Sequence, residues 1–202
     1  MRLSVISSSS SGTRACATWA AAILLVASSL FVSAAPARAD APVTFMKRVA
    51  KELLAAHRAN SQTKMARVIR RNADVVAIGR FSLGTYYARL ERNRRSSYFN
   101  GMTKFMARYL IDQSKTYRVA RAEVLRPSVK RGRDFVVNSR VTLVGGGTYT
   151  VQWLIGKRGG KFRIRDANVL GYWALPLQRN LFRDYVRKAN GDVNALVLAL
   201  NQ

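Results

Sequence analysis

The stretch "RDFVVNSRVTLVGGGTYTVQWLIGKRGGKFRIRDANV", residues 133–169, alternates apolar and polar side chains in three runs, each separated from the next by glycines. In the first run Phe135, Val137, Val141 and Leu143 share a face with Ser139. In the second, Tyr149, Val151, Trp153 and Ile155 share one. In the third, Phe162 and Ile164 alternate with Arg163 and Arg165. A period of two is that of a strand with one buried face, not of a helix. Gly145-Gly146-Gly147 and Gly159-Gly160 are short enough for hairpins, so consecutive runs pair antiparallel. "YRVARAEVL", residues 117–125, has the same period and stops before Pro127. The expected sheet is therefore a four-stranded antiparallel meander.

On either side the period lengthens. Phe45, Met46, Val49, Leu53 and Leu54 recur at helical spacing up to about His57, and a second helix is expected over about 64–72. Asp74 can cap a short helix holding Val75, Val76 and Ile78, with Gly79 at its end. A long helix is expected over about 94–114, with Tyr98, Met102, Phe105, Met106 and Tyr109 on one stripe. Gly101 inside it weakens the helix by about 1 kcal/mol relative to alanine, which marks a close approach. Residues 175–200 read as helical, with a break near Asn190-Gly191. Helices, then strands, then helices is an α+β order, with helices packed on one face of a twisted sheet.

The first 39 residues read as a signal peptide. Arg2 and Arg14 precede a run from Ala20 to Val32 that is apolar but for two serines, and Ala37-Arg38-Ala39 sets up a cut before Asp40. The run is too short to span a bilayer, which needs about 20 residues. The remainder, 40–202, is of a size for one domain. It retains 32 basic and 10 acidic residues, a net charge of +22. Cys16, the only cysteine, leaves with the leader, so neither disulfides nor thiol chemistry is expected.

Catalysis needs convergent polar groups, and few exist. His57 is the only histidine. A zinc site takes three or four His, Cys or carboxylate ligands, so no metal is expected, and no cofactor motif is present. The ten carboxylates lie singly, with no pair at helical spacing. The glycine clusters lack phosphate-loop spacing, and Ser82 sits in "RFSLG", not in a nucleophile elbow. Export and the scatter of the basic residues argue against nucleic acid; anionic headgroups or an acidic partner fit better. What remains is apolar area: Trp153 and Trp173 (Trp19 belongs to the leader), with Met102 and Met106, whose flexible side chains adapt to a guest. Pattern alone leaves two readings open, a filled core and a ligand cavity.

From Asp74 onward the chain resembles the MlaC family, the toluene-tolerance family of periplasmic lipid carriers. Asp74 followed by Ile78-Gly79-Arg80 is similar to the family's Asp-led helix ending in Leu-Gly-Arg. Phe99, Phe105, Tyr109 and Tyr117 resemble its Phe-rich helix. Phe162, Arg163, Ile164, Asp166-Ala167, Gly171, Arg179 and Phe182 follow its spacing beyond the sheet. Where the family has Gly-Val-Ser, this chain has Gly171-Tyr172-Trp173. The HpnM-like subgroup, associated with hopanoid production, shares the pattern.

The resemblance implies a monomeric, non-enzymatic carrier that encloses an apolar lipid cavity and moves phospholipid, or a hopanoid, between an inner-membrane transporter complex and an outer-membrane lipoprotein/porin complex. The acyl-chain contacts it implies are Met102, Phe105, Met106 and Tyr109 from the helix. Val137, Val141, Leu143, Val151, Trp153 and Ile155 come from the sheet, and Leu170, Tyr172 and Trp173 from the corner after it. Arg163, Arg165 and Arg179 are the expected contacts to headgroup or partner. The rivals are a small-molecule enzyme on a cone-shaped α+β scaffold, which needs an internal Asp/His or carboxylate pair, and a basic adaptor with a solid core.

Overall fold

The computed structural model describes residues 40–202; the expected leader, with Cys16 and Trp19, lies outside the described residues. Asp40 caps the first helix, accepting from the Val43 amide at 3.2 Å, and Pro42 sits in the first turn, where a missing N–H does no harm. This helix, α1 (Ala41–Arg58), is followed by α2 (Gln62–Asn72), α3 (Val75–Leu83) and two 3₁₀ segments, Gly84–Arg89 and Arg92–Arg94. Then come α4 (Arg95–Thr116) and strands β1 (Val119–Val124), β2 (Val129–Arg131), β3 (Asp134–Leu143), β4 (Thr148–Arg158), β5 (Lys161–Val169) and β6 (Tyr172–Trp173). Helices α5 (Ala174–Lys188) and α6 (Val193–Asn201) close the chain.

The sheet has six strands, in the order β1-β3-β4-β5-β6 with β2 also on β3, all antiparallel. The four expected strands are its long members. The two additional ones have three and two residues, too short to display a period. Register places Phe135, Val137, Ser139 and Val141 opposite Ile155, Trp153, Val151 and Tyr149, so these share one face. Arg165 is skipped in the β4–β5 ladder, a bulge that brings Ala167 and Val169 onto the same face as Ile164.

The part of that inner face around Val137 and Ile155 is covered by α1. Val43, Met46 and Val49 are fully buried with Val137 and Ile155, while Phe45, Leu53, Trp153, Phe162 and Ile164 complete the cluster. A second cluster joins α3, α4, α5 and α6 around Tyr98, Met102, Phe182 and Val186. The sheet-side and helix-side clusters have no residue in common. A third, between α1, α2 and α4, links them through Leu53 on one side and Met106 and Val75 on the other.

Two glycines act through size. Gly79 does not end its helix, which runs on to Leu83; a Cβ there would lie 2.7 Å from the Phe99 ring, and its carbonyl accepts from the Tyr98 hydroxyl at 2.9 Å. At Gly101 a Cβ would lie 2.6 Å from Asn201 Nδ2 and 2.9 Å from Leu200 Cβ. Helix propensity favours alanine there by about 1 kcal/mol, but overpacking a tight contact costs about 1–3 kcal/mol. Gly101→Ala is therefore expected to destabilise the fold by about 1 kcal/mol in denaturant titration, and a rise in stability would contradict the packing of α6 on α4.

At the other end of α1, His57 Nε2 accepts from the Val119 amide at 3.2 Å and Arg58 donates to the Ala120 carbonyl at 3.1 Å, tying α1 to β1. Burial, helped by the Arg58 charge, lowers the His57 pKa from its ordinary 6.5. The folded state then binds fewer protons than the unfolded one, so stability is lost as pH falls through about 6.5. Thermal unfolding is expected to move down between pH 7.5 and 5.5, and His57→Gln, which keeps an acceptor without titrating, should flatten that step.

Candidate functional site

On α4, Tyr98 and Met102 are fully buried, Phe105 and Met106 half-buried, and Tyr109 and Leu110 are 56% and 43% exposed. Tyr98, Met102, Phe105, Met106 and Tyr109 lie on one stripe, and its cover gives out toward the C-terminal end. Phe182 of α5 meets Phe105 edge-on at 5.4 Å and Tyr98 at 6.5 Å. Beyond that point Tyr109 stacks on Phe105 at 6.5 Å, with its other side open to water.

The sheet supplies the facing chemistry. Val137, Val141, Val151 and Ile155 are buried on the inner face, and Leu143 and Trp153 are half-buried there. Trp153 is oriented by its indole N–H, which donates to Ser139 Oγ at 3.0 Å and satisfies the one buried hydroxyl among these side chains. Tyr117, at the end of α4, lies close enough to Tyr149 of β4 to raise its pKa, adding to the larger effect of burial.

The corner residues go elsewhere. Leu170 and Gly171 form a two-residue turn, both at positive φ, and Leu170 and Tyr172 are 71% and 68% exposed at its tip. Trp173 pairs with Asn168, which points it to the outer face, away from Trp153. There it lines a hollow of about 370 Å³ with Arg131, Asp134, Leu154 and Asp166. Arg163 and Arg165 also project outward. Arg165 Nη1 lies 2.9 and 3.1 Å from the two Asp134 carboxylate oxygens, with its guanidinium laid over Gly156. Arg179 is apart from both, on α5, over the Phe81 ring at 4.7 Å.

The expected enclosed cavity is not found among the described residues. The hollow beside Trp173 and another of about 310 Å³ between α5 and Tyr86 are surface features. The space over the part of the inner face around Val137 and Ile155 is filled by α1 side chains, chiefly Phe45, Met46, Val49 and Leu53. Their helical period is plain in the sequence, but which helix sits on a sheet is decided by non-local packing.

The MlaC protein family profile matches residues 43–202. The chain belongs to the MlaC family. The match takes in α1 and α2 as well as the region from Asp74 onward. The fold is also that of a solved structure, a phospholipid-binding protein from Ralstonia solanacearum in complex with a phospholipid. The two agree with a TM-score of 0.64 at 20% identity, over 78% of this chain and 93% of that one. No curated protein matches the sequence.

Two family-like acids have structural work. Asp74 caps α3, receives Arg158, and its amide donates to the Ile164 carbonyl at 2.8 Å, fixing the α2–α3 junction to β5. Asp166 Oδ1 accepts from the Leu175 amide at 2.9 Å and the Ala167 amide at 2.8 Å, which anchors the start of α5. Burial raises the Asp166 pKa despite both bonds. Asp166→Ala should lower stability by about 1–3 kcal/mol, the penalty for buried unpaired donors. Asp166→Asn keeps the acceptor and removes the buried charge, so it should retain most of that stability. Equal losses in the two variants would contradict the anchoring role.

Proposed function

We propose that this MlaC-family protein is a periplasmic lipid carrier: a single lipid-binding domain, residues 40–202, released from a cleaved leader. It takes up the acyl chains of a phospholipid and carries the molecule unchanged between inner- and outer-membrane complexes. The observation that carries this reading is the apolar stripe of α4, which passes from Met102 in the core to Tyr109 in solvent. Such a stripe is complete only with an apolar partner. Each acyl methylene withdrawn from water contributes about 0.8 kcal/mol, so even part of one chain holds a lipid firmly.

The cargo lies along Phe105, Met106 and Tyr109 on one side and Val141, Val151 and Trp153 on the other. Its uptake parts the helix-side cluster from the sheet-side cluster. These groups are apolar or singly hydrogen-bonded, which suits retention and release and offers no acid–base pair for a reaction. The phospholipid bound to the Ralstonia solanacearum protein supports the same cargo class here.

Purification of residues 40–202 from an exporting host without detergent, followed by solvent extraction and mass spectrometry, tests the reading. A stoichiometric phospholipid is expected. Tyr109→Asp, at a position already exposed, should leave the fold intact and sharply lower lipid occupancy. Wild-type protein that emerges lipid-free would overturn the proposal.

A further inference from the structure

On α5, Arg179, Arg183 and Arg187 repeat at every fourth position, so they lie on one face of the helix. The 3₁₀ segment Gly84–Arg89 runs against α5. At the start of that segment Arg179 crosses the Phe81 ring at 4.7 Å and presses on Gly84, where a Cβ would lie 3.1 Å from Arg179 Nη2. Further along, Tyr86 faces Asn180, Arg183, Asp184 and Arg187 across a hollow of about 310 Å³. Those four α5 residues fall at i, i+3, i+4 and i+7, which is one side of a helix. Arg89 lies over the Tyr86 ring at 5.4 Å and reaches the α5–α6 turn, where a Cβ on Gly191 would lie 3.1 Å from Arg89 Nη1.

Arginines thus border this cleft from both sides, with one carboxylate among them. Asp184 pairs with Arg187 at 3.0 Å. Among the described residues Arg89, Arg179 and Arg183 have no carboxylate partner. Like charges four residues apart on a helix repel, and an anion seated between them removes that repulsion. The donors suit phosphate: a guanidinium fork meets two of its oxygens at once, and the Asn180 carboxamide adds neutral N–H donors. A hollow of about 310 Å³ stands at the small end of ligand sites, which favours a small oxyanion over a segment of a partner protein.

We infer that the cleft between α5 and the 3₁₀ segment binds a phosphate group, free or carried on a lipid headgroup. Arg183 and Arg187 hold its oxygens, Arg89 and Arg179 add to the positive field around it, and Asp184 competes with it for Arg187. The site is separate from the α4 stripe and does not depend on the carrier reading. A protein that binds phosphate here and yields no lipid on extraction keeps this inference and loses that one; a protein that yields lipid and leaves this cleft empty does the reverse.

Titration of the full chain, expressed for export, provides the test, followed by the side-chain NMR signals of its arginines and asparagines at fixed ionic strength. The probes are inorganic phosphate and glycerophosphoglycerol, the soluble headgroup of phosphatidylglycerol. At least one is expected to give saturable shifts at Arg183, Arg187 and Asn180, and the tighter probe names the source, free phosphate or headgroup diester. Arg183→Gln with Arg187→Gln, read at the Asn180 signal, should weaken binding at least about tenfold, the effect of one lost hydrogen bond to a charged group, while thermal stability holds or rises. Arg67→Gln with Arg70→Gln removes the same charge from exposed positions of α2 and should change binding less than about twofold. Asp184→Asn should tighten it about threefold, the strength of an exposed ion pair. Lack of saturable shifts with both probes, equal losses in the α5 and α2 pairs, or weaker binding in Asp184→Asn would each overturn the inference. So would shifts at these signals caused only by an acidic peptide such as hexaglutamate, which would assign the cleft to a protein partner.

Discussion

An antiparallel sheet with one apolar face must have that face covered, and a single helix is too narrow to do it. Four neighbouring strands span about 14 Å between the outer axes, while a helix with its side chains is about 10–12 Å across and covers little beyond its own width. Here α1 seals the part of the face around Val137 and Ile155. The α2–α3 junction closes the β5 side through the Asp74 amide and Ile164. Val169, on the inner face by its pairing with Val151, stays 38% exposed, and the α4 stripe runs out into solvent at Tyr109. The incompletely covered sheet and the incompletely covered helix are the same shortage of apolar partner seen from two sides.

The polar ties sit where they hold this arrangement without filling it. Asp40 joins the start of α1 to Ser128, accepting from its amide at 2.7 Å and its hydroxyl at 2.8 Å. Asp74, through its amide, and Asp166 pin α3 and α5 to β5, and His57 pins the end of α1 to β1. All four contacts lie at helix ends. Between those ends α1 meets the sheet through the apolar cluster of Val43, Met46 and Val49 on Val137 and Ile155, and such packing separates more readily than a buried hydrogen-bond network. The excess of positive charge stays outside, over aromatic rings and along α5.

Much of this could be read from the residues. Period two marked the four long strands, and Asp74 announced its cap. The departures have local causes. β2 and β6 are too short for any period to show. Gly79 looked like a terminator because a glycine needed for close approach and one needed for positive φ are the same letter. Trp173 was grouped with Trp153 because alternation cannot be counted through a bulge: the extra residue at Arg165 and the tight turn at Leu170-Gly171 together decide which face each later side chain takes. The cavity expectation failed for a non-local reason, since nothing in the α1 sequence says that Phe45 packs on Phe162 of β5 or that Met46 joins the cluster of Val137 and Ile155.

The central claim is that a lipid tail completes the cover of the inner face. Intermolecular NOEs between the methylene protons of a bound phospholipid and assigned methyl groups of the protein test it most directly. Contacts are expected to Val141, Val151 and Met106, with none to Val136 or Leu154 on the outer face. Contacts confined to Val136 and Leu154, or a lipid-bound sample with no methyl contact on the inner face, would contradict it.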